Sequence, residues 1–348
     1  MAFDFHGLMF AFLLCSSILL APAQALAGNA YDGFAQIYNV FFGSQSARDQ
    51  ALTCDVDLNT GGILTKVNAF FCHLEKDMGI TSSNVEVTKT FGNLVVHAKV
   101  DGAEGGAAYA VDGVNYDYQA QVWVCLLSQA ACSATTDFNR AIYIAYSYKA
   151  DKTVNKGHML MSTRAFHGES TSGMMLKYDV GDNTATKTVE FKLRHTEDGD
   201  TIKIAAKGTK TSAQTQVAMV IHSALSASYG FRFASTVDET NNIGAVYYEA
   251  PPTVCTGTGC GSLSMTNAGD TQAVSSGACF TRARTATDWA YTPAAADVCS
   301  GLSFPAFPNQ SVNTVSGFTI TATDAAGVLV PAPGGTIFNG MATNPSAL

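Results

Sequence analysis

From Gly28 to Ala250 the chain contains no proline. Of its nine prolines, Pro22 lies near the N-terminus and the other eight lie at 251 or beyond. Charge is scarce as well. Only 14% of residues are Asp, Glu, Lys or Arg, and every lysine lies between Lys66 and Lys210. After residue 250 the charged side chains are Asp270, Arg282, Arg284, Asp288, Asp297 and Asp324. Low charge combined with 47% hydrophobic residues excludes an intrinsically disordered chain. A net charge of −8, with acids and bases balanced across 66–210, excludes the basic face that nucleic acid needs. No apolar run reaches the ~20 residues of a membrane-spanning helix.

Catalytic signatures are missing too. There is no G-x-S-x-G, H-E-x-x-H or P-loop, and no C-x-x-C of the metal-binding type. No metal and no cofactor is therefore expected. Asp55-Val56-Asp57-Leu58-Asn59 opens like a calcium loop, but Thr60 stands where the turn glycine belongs and Lys66 where the bidentate glutamate belongs. The expectation there is a loop capping the next helix.

What is present starts with a leader. Leu8 to Leu20 is apolar, and Ala25 and Ala27 fit the small-x-small rule for cleavage before Gly28, although Asp4 stands where basic residues usually do. Residues 1–27 are thus expected to be a signal peptide. The mature chain is expected to be periplasmic, cell-surface or extracellular, with no transmembrane helix. Cys15 leaves with the leader, and the eight cysteines that remain read as disulfides of an exported protein. Their grouping favours neighbours: Cys54 with Cys72, Cys125 with Cys132, Cys255 with Cys260, and Cys279 with Cys299.

Apolar residues at helical spacing predict two helices. One carries Phe34, Ile37, Tyr38 and Phe41. The other carries Ile63, Val67, Phe70, Phe71, Leu74 and Met78 and is closed by Gly79. From about 85 to 249 the period becomes two, as in Val114 to Leu126, Ala141 to Lys149, Val189 to Arg194 and Tyr229 to Ala234. This predicts about ten antiparallel strands, one face apolar and one wet, with a tight hairpin at Asp198-Gly199. The fold class is mainly β: a long antiparallel meander, curved or half-barrel, covered by two N-terminal helices. The composition shift at Ala250-Pro251-Pro252 predicts a domain edge between 28–250 and 251–348. The second part reads as a disulfide-stapled β module or extension, with a strand near Val315 to Thr323.

Three methionines and five tyrosines supply the candidate site. Tyr116, Tyr118, Tyr146, Tyr148, Met159, Met161, Met174 and Tyr178 fall on the apolar side of their strands. Adaptable thioethers and phenols with a polar tip suit an apolar small molecule or lipid. The expected function is an exported, non-enzymatic binding protein of the cell envelope holding a hydrophobic ligand or envelope partner on the sheet. The alternative is a self-associating surface protein (filament, sheath or adhesion subunit) that uses its C-terminal extension for subunit contacts. Two further readings are a secreted hydrolase, whose best residues would be His158, His167 and Glu169, and an outer-membrane β-barrel.

Overall fold

The computed structural model describes residues 54, 63–81, 84–102, 109–111, 113–149, 154–162, 173–197, 200–223, 229–250, 274–285, 289–305, 341 and 344–346. The leader, the first expected helix, the Asp55 loop, the Cys255/Cys260 pair and the strand expected near Val315 lie outside these residues.

Helix α1 spans Ile63–Lys76, where the spacing of Ile63, Val67, Phe70, Phe71 and Leu74 predicts it. It stops two residues before Met78. Gly79 then takes φ +80°, and the turn carries the Ile80 N–H back to the Leu74 carbonyl at 2.9 Å. A residue with a Cβ enters that left-handed region only at a cost. The helix is buried on nearly every side, Thr65, Lys66 and His73 included.

The strands are β1 (Val85–Phe91), β2 (Leu94–Gly102), β3 (Tyr109–Val111), β4 (Val114–Tyr116), β5 (Tyr118–Leu126), β6 (Asn139–Tyr148), β7 (Val154–Ser162) and β8 (Gly173–Asp179). They continue as β9 (Lys187–Glu197), β10 (Asp200–Lys210), β11 (Gln214–Ser223), β12 (Tyr229–Asp238), β13 (Ile243–Ala250), β14 (Val274–Arg284) and β15 (Trp289–Ala294). All but β3 and β4 form one thirteen-stranded antiparallel sheet in which every strand pairs with the one before it. The mainly β antiparallel meander is therefore as read from the period-two pattern. Glu197 pairs with Asp200, so β9 and β10 are antiparallel neighbours on either side of Asp198 and Gly199, which lie outside the described residues. Strand β14 pairs with β13, so the ladder continues from one side of residues 251–273 to the other.

Two details differ from the sequence expectation. The single strand expected over 114–126 is broken at Asp117, and β4 leaves the sheet to pair with β3 in a separate hairpin. The second face of the sheet is also not uniformly wet. Val95, Trp123, Cys125, Tyr143, Leu160 and Met175 form a second buried cluster there, with Tyr116, Phe138 and the distant Met341 packed over them. The sequence pattern misses this because the cover comes from the β3–β4 hairpin, the 127–138 loop and the far C-terminus. The main cluster, on the opposite face, joins α1 to residues as far along as Val246 and Phe280.

Among the described residues three disulfides brace the chain: Cys54–Cys72, Cys125–Cys132 and Cys279–Cys299, separated by 18, 7 and 20 residues. These are the neighbour pairings read from the sequence. The first ties a residue upstream of α1 to the helix, and the second closes the β5–β6 connection. The third fastens the turn at Ala296–Cys299 to β14. In the chain-entropy account the two longer loops contribute about 3 kcal/mol each and the short one about 2 kcal/mol. They fit an oxidising, exported compartment. Among the described residues no helix is long and apolar enough to cross a membrane.

Candidate functional site

Register brings the candidate tyrosines and methionines together. Tyr118, Tyr146, Gly157, Tyr178 and Val189 form one cross-strand row, and Ile144, Met159, Leu176 and Phe191 form the next. Directly opposed residues of an antiparallel pair project to the same face, so these rows pack as layers. Tyr146 lies 5.5 Å from Tyr118 and 5.0 Å from Tyr148, ring centroid to centroid. Helix α1 inserts Phe71 among them, 4.3 Å from Tyr146 and 5.0 Å from Tyr148. Met159, Met161 and Met174 are fully buried. Seven of the eight candidate residues thus belong to the helix-covered core cluster or pack on it. Tyr116 does not. The break at Asp117 sends it to the opposite face.

Burial sets the chemistry of these phenols. It pushes Tyr146 and Tyr148 far above the ordinary 10.0; their mutual hydrogen bond raises Tyr148 further and pulls Tyr146 part of the way back, and burial raises Tyr178 in the same direction. Their folded values exceed their unfolded ones, so the stability they lend is present below pH 10 and is lost as pH climbs beyond it. The expected result is that these three tyrosines form phenolate only as the protein unfolds. Absorbance should therefore show one early group of exposed tyrosines and a late step that coincides with loss of circular dichroism. A smooth titration completed in the folded state would overturn that account.

The polar face carries a different constellation. Lys177, Glu190 and Lys207 stand in register on β8, β9 and β10, and Lys156, Asp179 and Thr188 stand in register in the adjacent row on β7, β8 and β9. Strand β4 lies against β6, where Ser147 accepts the Asp117 N–H at 3.3 Å at the point where β4 diverges, and its Val114 and Tyr116 reach toward these rows. Between hairpin and sheet lies a cavity of about 240 Å3, lined by Val114, Tyr116, Lys156, Lys177, Tyr178, Asp179, Thr188, Glu190 and Lys207. Lys156 Nζ sits 5.5 Å from the centroid of the Tyr116 ring, within cation–π range. Two of the eight candidates, Tyr116 and Tyr178, line this cavity. The lysines and acids were missed because an alternating polar face reads as solvent-exposed until strand register shows which charges are neighbours.

Among the described residues His73, His97 and His158 do not gather. His73 contacts Asp77 at 2.5 Å on α1, and His158 is buried on β7. His167 and Glu169 lie outside the described residues, so the rim expected with His158 is not placed. Strand register gives His97 company. Thr88 donates to its Nδ1 at 2.7 Å, and its Nε2–H donates to Glu86 at 2.7 Å. Ser346 donates to the same carboxylate at 3.0 Å. The ring is buried edge-on to Trp123, 5.6 Å away. This hydroxyl–imidazole–carboxylate order resembles an activated nucleophile. Its placement, from edge strand β1 to the last described residues, serves to fasten the C-terminal segment to the sheet. Arg140 Nη1 contributes to the same fastening through the Met341 carbonyl at 3.5 Å. Among the described residues no group of three or more His, Cys, Asp or Glu side chains could hold a metal ion.

No known protein family, curated protein or solved structure matches the chain.

Proposed function

We propose that this chain is an exported, non-enzymatic binding protein of the cell envelope whose ligand sits in the cavity roofed by β4. The observation that carries the reading is that cavity. It is a concave site with convergent polar groups and an aromatic wall, framed by the strands of a braced sheet and a separate hairpin. The tyrosine–methionine face is the poorer seat for a ligand, because Phe71 and its helix occupy it.

In this reading residues 1–27 are the removed leader and the disulfides form after export. Residues 251–348 act as an extension, contributing β14, β15 and the Met341–Ser346 segment. The sheet curls into a half-barrel around the N-terminal segment. A 14-residue helix is about 21 Å long. Thirteen flat strands would span about 60 Å. Val217, Met219, Val237 and Phe280 are nonetheless as buried as the residues beneath α1, and curling is one way to cover them.

Native mass spectrometry of the mature chain from an oxidising compartment tests the function. A monomer carrying a small mass that is shed on denaturation is the expected result. A ladder of oligomers without any bound molecule would replace the binding reading with a structural surface subunit.

A further inference from the structure

We infer that the β4-roofed cavity takes a small multivalent oxyanion, a di- or tricarboxylate or a phosphate monoester, gripped by Lys177 and Lys207. The inference rests on the binding reading above and adds the class of ligand.

Three amines and two carboxylates line the cavity, and the carboxylates are already engaged. Asp179 accepts from the Thr184 hydroxyl at 2.8 Å and from the Gly181 N–H at 3.5 Å, which holds the β8–β9 turn. Glu190 has Lys192 beside it at 3.7 Å, on the same strand and face. Lys156 lies over the Tyr116 ring. No ion pair reaches Lys177 or Lys207 among the described residues. In-register side chains on neighbouring strands stand about 5 Å apart at Cβ, so Lys177 on β8 and Lys207 on β10 flank Glu190 from either side, about 10 Å from each other.

Amines held together without full compensation repel one another, and an anion among them relieves that repulsion. Ammonium groups bind oxyanions by charge-assisted hydrogen bonds, and two separated amines favour an anion with more than one charged oxygen. The volume sits just below the ~300 Å3 lower limit of common ligand clefts, which keeps the guest small. Val114 and Tyr116 form the wall against which its uncharged part would rest. Site and guest meet partly in solvent, so affinity should fall as salt rises.

The test uses the full mature chain and two probes, inorganic phosphate and citrate, titrated calorimetrically at low and at physiological salt. Lys177→Gln, Lys207→Gln and the double variant are compared, with melting temperature checked for each. Lys207 is exposed, so its replacement leaves the fold intact even if Lys177→Gln does not. Losing one charged hydrogen bond corresponds to about tenfold in affinity. The expected result is therefore binding of at least one probe, weakened about tenfold by each single variant and further by both together. The stronger probe distinguishes a carboxylate from a phosphate guest. Binding that both lysine variants leave unchanged would place the anion elsewhere and overturn the inference. If neither probe binds but native mass spectrometry finds a neutral guest, the ligand class falls and the binding function stands. If neither probe binds and no guest is found, both fall.

Discussion

Arg282→Ala is expected to destabilise the fold by about 3–5 kcal/mol, the cost of breaking a buried charge pair from one side. The side chain of Arg282 is fully buried on β14. Its Nη2 donates to Glu239, which also accepts the Thr215 hydroxyl and faces Lys210 at 3.8 Å. The guanidinium stacks 4.1 Å from the centroid of the Trp289 ring. Alanine would leave the carboxylate with a distant lysine and uncover the indole. The guanidinium also carries a cost of its own, because Nε and Nη1 find no hydrogen-bond partner among the described residues. Arg282→Met should therefore lose much less than Arg282→Ala, since it keeps the apolar stem and removes the two stranded donors. Glu239→Gln should approach the alanine value, because it strands the cation. Urea denaturation of the three variants gives the ranking. An alanine variant within 1 kcal/mol of the parent would show that the cluster contributes little to stability.

Gly157→Ala is the second substitution with a large expected cost, about 3 kcal/mol, the upper end of the overpacking range. The position is a matter of space. Tyr178 stands opposite Gly157 in the ladder and lays its ring across the missing side chain, so a Cβ there would meet the hydroxyl oxygen at 2.4 Å. The ring is itself fully buried and has nowhere to go. The same arrangement recurs at the far end of the sheet, where Phe280 crosses Gly244 and a Cβ would meet the ring at 2.3 Å. Gly301 has open space around it, and Gly301→Ala should leave stability within a few tenths of a kcal/mol. Tyr178→Val should relieve much of the Gly157→Ala penalty in a double-mutant cycle, because the clash needs both partners. Additive effects would show that the glycine serves some other purpose.

How far these features could be read in advance depends on the distance over which each is determined. Strand identity is local, so the alternation in 141–149 or 189–194 identified β6 and β9 without further help. Neighbour disulfides are local in the same sense. The break at Asp117 is not, because it depends on Ser147, thirty residues away, receiving the Asp117 N–H. The burial of Trp123 and Tyr143 depends on Met341 and a hairpin that the pattern merges into a strand. The alternation puts Tyr146, Met159 and Met161 on the apolar sides of their strands, where the core has them, but it does not say that α1 fills the space above Tyr146. The lysine-lined cavity is the extreme case. Lys177 and Lys207 are thirty residues apart, and only the registers of β8, β9 and β10 make them neighbours of the same glutamate.

Each described disulfide joins cysteines no more than 20 residues apart, and each strand of the large sheet hydrogen-bonds to the one before it. Chains are made from the N-terminus, and structure can form as they emerge. When Cys72 appears, its correct partner Cys54 is already present and every later cysteine is still to come; the same order protects Cys125 with Cys132. The strand ladder and these disulfides can therefore close in order as the chain grows, and only the fastening of Met341 and Ser346 waits for a distant partner. Mispairing is avoided by timing, and oxidative folding should proceed with little need for reshuffling.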